Sequence, residues 1–261
     1  MSNNIDYQQH GPVAHITINH PHRRNAKTYT MWCGLGDVLE TLEAHNPPRV
    51  LVLSGAGDRA FCAGNDISEF GQWRGDPEKL GVYHQASDRA FRLLQQAPFP
   101  VIAKIHGACV GGGLELALVC DFRYAAENAR FAITPAKLGL GYSFSDVQRL
   151  VAILGAGSAR KLLLTGRMHD AIEARGLGLV DAVMEPTALD ESVEALATAL
   201  SENAPLTLRA LKAALIEAGR PAPEQDREYI QQLVDRCHAS EDFKEGQLAF
   251  SEKRPPRFKG I

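Results

Sequence analysis

The chain has 261 residues, enough for one large domain with a substantial buried core. Apolar residues make up 45 % and charged residues 23 %, which is the composition of a globular chain and not of a disordered or fibrous one. A net charge of −3 supplies no global basic field, so nucleic acid is not expected as a partner. Met1–Asp6 shows neither a basic n-region nor an apolar h-region, and no apolar run reaches the roughly 18 residues of a membrane span. Even Ala108–Cys120 is broken by three glycines and Glu115. A cytoplasmic protein without a membrane partner is expected. The five cysteines form no C-x-x-C pair and share no ligand spacing with the nine histidines, so free thiols and no metal site are expected.

In chain order, Val13–Asn19 alternates and is β-branched, which predicts a strand ended by Pro21. Thr28 can cap a helix over Tyr29–His45, and Asn46-Pro-Pro48 stops it. Arg49–Ser54 is a short apolar strand, turned by Gly55–Asp58. A helix is predicted over Pro77–Gln96 and a strand over Pro100–Ile105. Gly111–Gly113 then opens a helix through Val119, and strand pattern resumes at Phe122–Ala125. This alternation predicts an α/β sheet through about residue 135. Beyond Asp146, which can start a helix through Ile153, only Leu179–Val183 reads as strand. Helices follow at Leu189–Ser201, Leu206–Ala218, Glu224–Ala239 and Asp242–Ser251, separated at Ala204-Pro205 and Arg220–Pro223. The expected organisation is a core over residues 1–199 and a helical region over 200–261.

Two glycine-bearing segments carry the candidate chemistry. Glycine in a helix costs roughly 1 kcal/mol against alanine, so three in a row at 111–113 imply close approach to something. That something is either another backbone or a ligand. Helix-start N–H groups lack partners and favour negative charge, so an anion site is one reading. In Ala60-Phe-Cys-Ala-Gly-Asn-Asp-Ile67, read as a turn after a strand, Gly64 allows positive φ and Asp66 can cap a helix.

Taken together, Phe61–Ile67 and His106-Gly-Ala-Cys-Val-Gly-Gly-Gly-Leu-Glu-Leu-Ala-Leu-Val-Cys-Asp121 resemble the paired signatures of the crotonase superfamily, which includes the enoyl-CoA hydratases. Ile18–Ala26, Thr165–Arg167, Ala171–Gly176, Gly178–Val180, Phe243–Gly246 and Ala249–Pro255 extend the resemblance over nearly the whole chain. It implies a spiral of β-β-α turns with a helical C-terminal region, trimers often paired into hexamers, and a coenzyme A thioester as substrate with no other cofactor. It further implies an oxyanion hole from the N–H groups of Asn65 and Gly112. Enolate chemistry on a thioester puts charge on the carbonyl oxygen, and loss of one preorganised donor typically costs about 3–4 kcal/mol of barrier. For coenzyme A, Arg24 and Lys253 match best among the basic groups near the chain ends. Ala26, Ala63, Asp66 and Ile67 match positions that line adenine and pantetheine through the backbone.

The resemblance also marks departures. Glu115 occupies the place of one hydratase glutamate, and its other reading is a capping box at a helix start. The second glutamate place falls on Pro135, which neither gives nor takes a proton. Thr134-Pro-Ala-Lys-Leu-Gly-Leu-Gly-Tyr142 is similar to the superfamily's methylmalonyl-CoA decarboxylases, where the tyrosine helps hold the departing carboxylate. Tyr142 is therefore either a site residue or loop packing. Ser143 falls where some isomerases and a dehalogenase carry aspartate, and Asp146 either caps or faces the site. His106 is read as structural. A stretch from Phe70 to Tyr83, with Trp73, is expected to shape the acyl pocket. Hydratase-type lyase is the first reading; decarboxylase or double-bond isomerase on the same scaffold is the second. A non-catalytic coenzyme A-binding paralogue is the alternative of another class.

Overall fold

A computed structural model describes residues 4–45, 47–73 and 76–261, and Asn46, expected to stop the first helix, and Arg74 and Gly75 of the expected acyl-pocket stretch lie outside them. The fold starts with a hairpin, β1 (Ile5–His10) against β2 (Val13–Ile18), turned at Gly11 with φ +59°. The helix Tyr29–His45 leads to β3 (Val50–Gly55) and β4 (Ala60–Cys62), then to the helix Pro77–Gln96. β5 (Val101–Ile105), β6 (Ala108–Val110) and the helix Gly112–Leu118 repeat the pattern. β7 (Phe122–Ala126), β8 (Arg130–Ala132) and the helices Pro135–Leu138 and Phe144–Thr165 repeat it again. β9 (His169–Asp170) and β10 (Ala182–Met184) flank the helix Ala171–Gly176.

The strands sort into two sheets by this repeat. One has the order β1-β2-β3-β5-β7-β10, parallel from β2 onward; the other has the order β4-β6-β8-β9. Each turn thus gives one strand to each sheet and then a helix, which is a spiral of β-β-α turns. β3 has Val50, Leu51, Val52 and Leu53 at no more than 1 % exposure, because the large sheet is covered on both faces. Val50 and Val52 meet Leu189, Val193 and Ala197 of the helix Leu189–Ser201. Leu51 and Leu53 belong to the main core with Trp32, Leu35, Phe91 and Leu94.

Three expectations need correction. Ala60–Cys62 is strand and not turn, since it pairs with β6. The strand expected over Leu179–Val183 begins at Ala182, because the Leu179 N–H still closes the preceding helix on the Ala174 carbonyl. The helix expected from Asp146 begins at Phe144, because Ser143 accepts the Asp146 N–H as its cap; Gly155, at φ 72° and ψ 159°, interrupts it.

Of the last helices, Pro205–Ala218, Arg227–Ala239 and Glu241–Glu252, the first is tied to the core by a buried cation. Lys212 Nζ donates to Asp121 Oδ2 (2.7 Å) and to the carbonyls of Phe99 (3.0 Å) and Leu94 (3.3 Å). Asp121 Oδ2 also accepts the Val101 N–H (2.7 Å), so the pair fixes the start of β5. Lys212→Met leaves that carboxylate without its cation and is expected to lower unfolding free energy by about 3 kcal/mol in urea titration.

Candidate active site

β4 and β6 are neighbours, so the segments that follow them leave the small sheet side by side. In the first segment, Gly64 has φ +106°, a conformation that a side chain would strain. Its Cβ would also lie 3.1 Å from the Val110 carbonyl oxygen. Asn65 then bridges Lys27 in parallel: the Lys27 N–H donates to Gly64 O, and the Asp66 N–H donates to Lys27 O, both at 2.8 Å. That pattern turns the Asn65 N–H away from Lys27. Among the described residues it has no backbone acceptor.

In the second segment, Gly111 (φ +54°) is the cap of the helix Gly112–Leu118. The close-backbone reading of the glycine run holds at Gly113. At Gly113 a Cβ would stand 2.1 Å from the Cys62 carbonyl oxygen, so backbone packs on backbone there. Gly112 is the first helical residue, and its N–H has no acceptor among the described residues, as helix geometry requires. Asn65 Oδ1 would lie 3.1 Å from a Cβ on Gly112, so the two segments touch at their unpaired donors. Trp32 Nε1–H holds that Oδ1 (3.2 Å).

Glu115 stands one turn into the same helix. With Gly111 as cap, Leu114 is the third helical residue, so Glu115 is not placed to close a capping box, and the cap has no side chain to answer it. Its Oε1 instead accepts a hydrogen bond from the Tyr142 hydroxyl. Burial pushes its carboxyl up to about 7, helped by the negative charges of Asp146 and Asp88 and opposed by Arg149 and Lys27. A carboxyl poised near neutrality can both take and return a proton. Tyr142 is partly buried against the core, so packing and contact with Glu115 coexist. Pro135 begins the short helix Pro135–Leu138, and no carboxylate comes from that position.

The enoyl-CoA hydratase/isomerase family model matches residues 8–261. The chain belongs to that family. A short-chain-enoyl-CoA hydratase of Clostridium acetobutylicum is 33 % identical over 253 residues, covering 97 % of this chain and 96 % of that one. A peroxisomal Delta(3,5)-Delta(2,4)-dienoyl-CoA isomerase of Arabidopsis thaliana is 34 % identical over 257 residues, covering 94 % and 92 %. Among solved structures, an enoyl-CoA hydratase/carnithine racemase from Magnetospirillum magneticum superposes with a TM-score of 0.92 at 35 % identity, over 99 % of this chain and 96 % of that one. The family therefore includes hydratases and isomerases on this crotonase-type fold.

The positions that the crotonase resemblance assigns to coenzyme A fall into two groups. Arg24, Ala26, Ala63, Asp66 and Ile67 cluster beside the first segment. Arg24 is exposed at φ +52°, and its carbonyl accepts the Ala63 N–H (3.0 Å). Ala26 is buried and Ile67 is 63 % exposed. Asp66 caps a short 3-10 turn, Ile67–Glu69; burial works to raise its carboxyl, but the Ser68 N–H and hydroxyl hold it below the usual range. Lys253 lies apart in sequence at the end of the last helix, at φ +54°. Among the described residues no hydrogen bond or ion pair joins it to the first group. Trp73 packs at a tilt against the rings of Tyr29 (4.5 Å between centres) and Tyr83 (5.8 Å), and its indole N–H is buried without a partner among the described residues. His106 Nε2 is likewise buried and unpartnered, and desolvation lowers that imidazole's pKa.

The sequence reading missed Lys27 and Trp32. Lys27 is wholly buried, with Nζ 3.2 Å from Cys62 Sγ, 3.2 Å from the Gly112 carbonyl oxygen and 4.1 Å from the centre of the Trp32 ring. A single lysine between Ala26 and Thr28 gives no signal of burial, because lysine is among the residues least often found inside.

Proposed function

We propose that this family member adds water to a 2-enoyl-CoA thioester. The observation that carries the reading is the adjacency of two unpaired N–H groups, Asn65 and Gly112, to a buried carboxyl poised near neutrality, Glu115. The thioester oxygen sits between the two donors, which stabilise the enolate that forms there. Glu115 takes a proton from water as the water oxygen bonds to C3, and returns a proton to C2. Tyr142, already hydrogen-bonded to Glu115, supplies the second contact to water that a glutamate at position 135 would have given. Double-bond isomerisation is the second reading. It is favoured by Pro135, because moving one proton between two carbons needs one carboxyl. Decarboxylation of a malonyl-type thioester is disfavoured, since the Tyr142 hydroxyl is engaged by a carboxylate already in the site.

Arg24 and Lys253 supply charge for the coenzyme A phosphates, and Ala26, Ala63, Asp66 and Ile67 supply the walls. No further cofactor is proposed. The region 200–261 serves assembly into a trimer or a dimer of trimers. An apolar groove of about 610 Å³ among its helices is lined by Leu211, Phe243 and Phe250, and Leu215 and Phe250 are 75 % and 88 % exposed, surface that a second copy would cover. Among the described residues no helix is long and apolar enough to cross a membrane. A cytoplasmic role in fatty acid metabolism is part of the same proposal.

A panel of thioesters tests it. Crotonyl-CoA should lose its conjugated absorbance, with a kcat that falls on the acid side near pH 7 as Glu115 protonates. Turnover of a 3-enoyl-CoA without hydration would move the assignment to isomerase, CO₂ release from a malonyl-type thioester would move it to decarboxylase, and binding without turnover would make the chain a binding paralogue.

A further inference from the structure

Lys27 ties the two segments of the site together. Its backbone bridges the first segment on both sides of Asn65, through Gly64 O and the Asp66 N–H. Its side chain reaches the second segment at the Gly112 carbonyl. Its ring partner, Trp32, holds Asn65 Oδ1. The three groups around Nζ are a thiol sulfur, a carbonyl oxygen and an aromatic face, and each accepts positive hydrogen. An ammonium has three such donors and no acceptor, so the surroundings match the charged form.

Among the described residues no carboxylate lies within ion-pair distance of this nitrogen. A buried cation without an anion is costly, and a cation at a helix start faces the positive end of the helix dipole. A methionine would fill the same space without either cost. Among the described residues no ion pair offsets that charge, yet it lies one peptide away from the Gly112 N–H.

We propose that Lys27 is a positioning residue of the thioester-oxygen site: a buried ammonium that fixes the spacing of the Asn65 and Gly112 donors and adds positive charge behind them. The proposal rests on the reading of those two N–H groups as the oxygen site. Charge developing on the substrate oxygen would supply the anion that Lys27 lacks, so its effect is largest in the transition state.

The test uses Lys27→Met in the full-length protein, with a chromophoric 2-enoyl thioester whose absorption moves to the red when its carbonyl is polarised. The variant should show a smaller red shift than the wild type and lose about tenfold in kcat, less than the hundredfold or more typical of an oxyanion donor itself, with KM changed less than kcat. The acid limb of kcat should move to higher pH. Glu115 is faced by Asp146 and Arg149 from the helix Phe144–Thr165, by Asp88 from the helix Pro77–Gln96, by the Tyr142 hydroxyl, and by Lys27, and removing a cation favours its protonated form. A folded variant with full red shift, full kcat and an unmoved limb overturns the proposal. A wild type that binds the probe with no red shift overturns instead the oxygen-site reading on which it rests. Should Lys27→Met not fold, nitrogen-15 NMR of lysine-labelled wild type decides: a buried, slowly exchanging lysine signal in the ammonium range at pH 8 supports the proposal, and one in the amine range overturns it.

Discussion

Glu115→Gln is expected to lower kcat for 2-enoyl-CoA hydration by about 10²–10⁴-fold, the usual contribution of a general acid–base group, with coenzyme A affinity within a few fold of wild type. The amide keeps an oxygen to accept the Tyr142 hydroxyl, so the local hydrogen bond survives the change. Stability separates lost chemistry from lost fold. The Glu115 carboxyl is raised from 4.5 to about 7 in the folded chain, chiefly by burial. The folded state therefore binds more protons than the unfolded state between those values, and stability contributed by this group falls as pH rises through that window. Glutamine removes the penalty of burying the ionised form. The variant is expected to melt no lower than wild type at pH 8, while turning over far more slowly. A variant with unchanged turnover on crotonyl-CoA would remove Glu115 from the mechanism.

Gly113→Ala is expected to produce the largest combined loss. Its Cβ would stand 2.1 Å from the Cys62 carbonyl oxygen and 2.8 Å from the Cys62 carbonyl carbon and Cβ. The 2.1 Å neighbour is backbone within a strand, so the helix start must move away from β4. Overpacking of this kind costs about 1–3 kcal/mol, and a shift of about 1 Å in a catalytic group costs on the order of a hundredfold in rate. We expect urea unfolding to report the first loss and kcat the second, with Glu115 and both donors chemically intact. By contrast, Gly112→Ala meets the Asn65 side chain at 3.1 Å, a flexible neighbour that can rotate. Comparable kcat for the two alanine variants would argue against a geometrically tuned oxygen site.

The elements of the large sheet and the long helices were legible because their patterns are long. The helices Tyr29–His45, Pro77–Gln96 and Leu189–Ser201 lie at the expected residues. The small sheet was not legible from periodicity: β4, β6 and β8 have three residues each, and three residues show no alternation. β1, Ile5–His10, was missed for another reason. Five of its six residues are at least partly exposed, so its apolar signal is weak. The family and its fold were readable from two glycine-bearing segments in order. Their meeting in space was implied by the resemblance and by no local pattern, because it depends on the pairing of β4 with β6. The Tyr142–Glu115 contact spans 27 residues and joins a loop to a helix, a relation no local pattern encodes. Lys27 stayed hidden because its partners are a thiol, a carbonyl and a ring face, none of which marks a lysine as buried.

The two unpaired donors follow neighbouring strands of the small sheet, so their interval starts from the lateral repeat of β-structure, about 4.8 Å, and Lys27 is proposed to hold it there. The groups proposed to handle protons differ in source: Glu115 lies one helical turn beyond Gly112 on the same helix, and Tyr142 comes from the loop between the helices Pro135–Leu138 and Phe144–Thr165. On that proposal carbonyl polarisation rests on the paired strands, and part of the proton traffic on a later loop. Substitutions on that later turn, where the crotonase resemblance puts Pro135 at a glutamate place, would then redirect the outcome from water addition to bond migration without rebuilding the part proposed to hold the thioester.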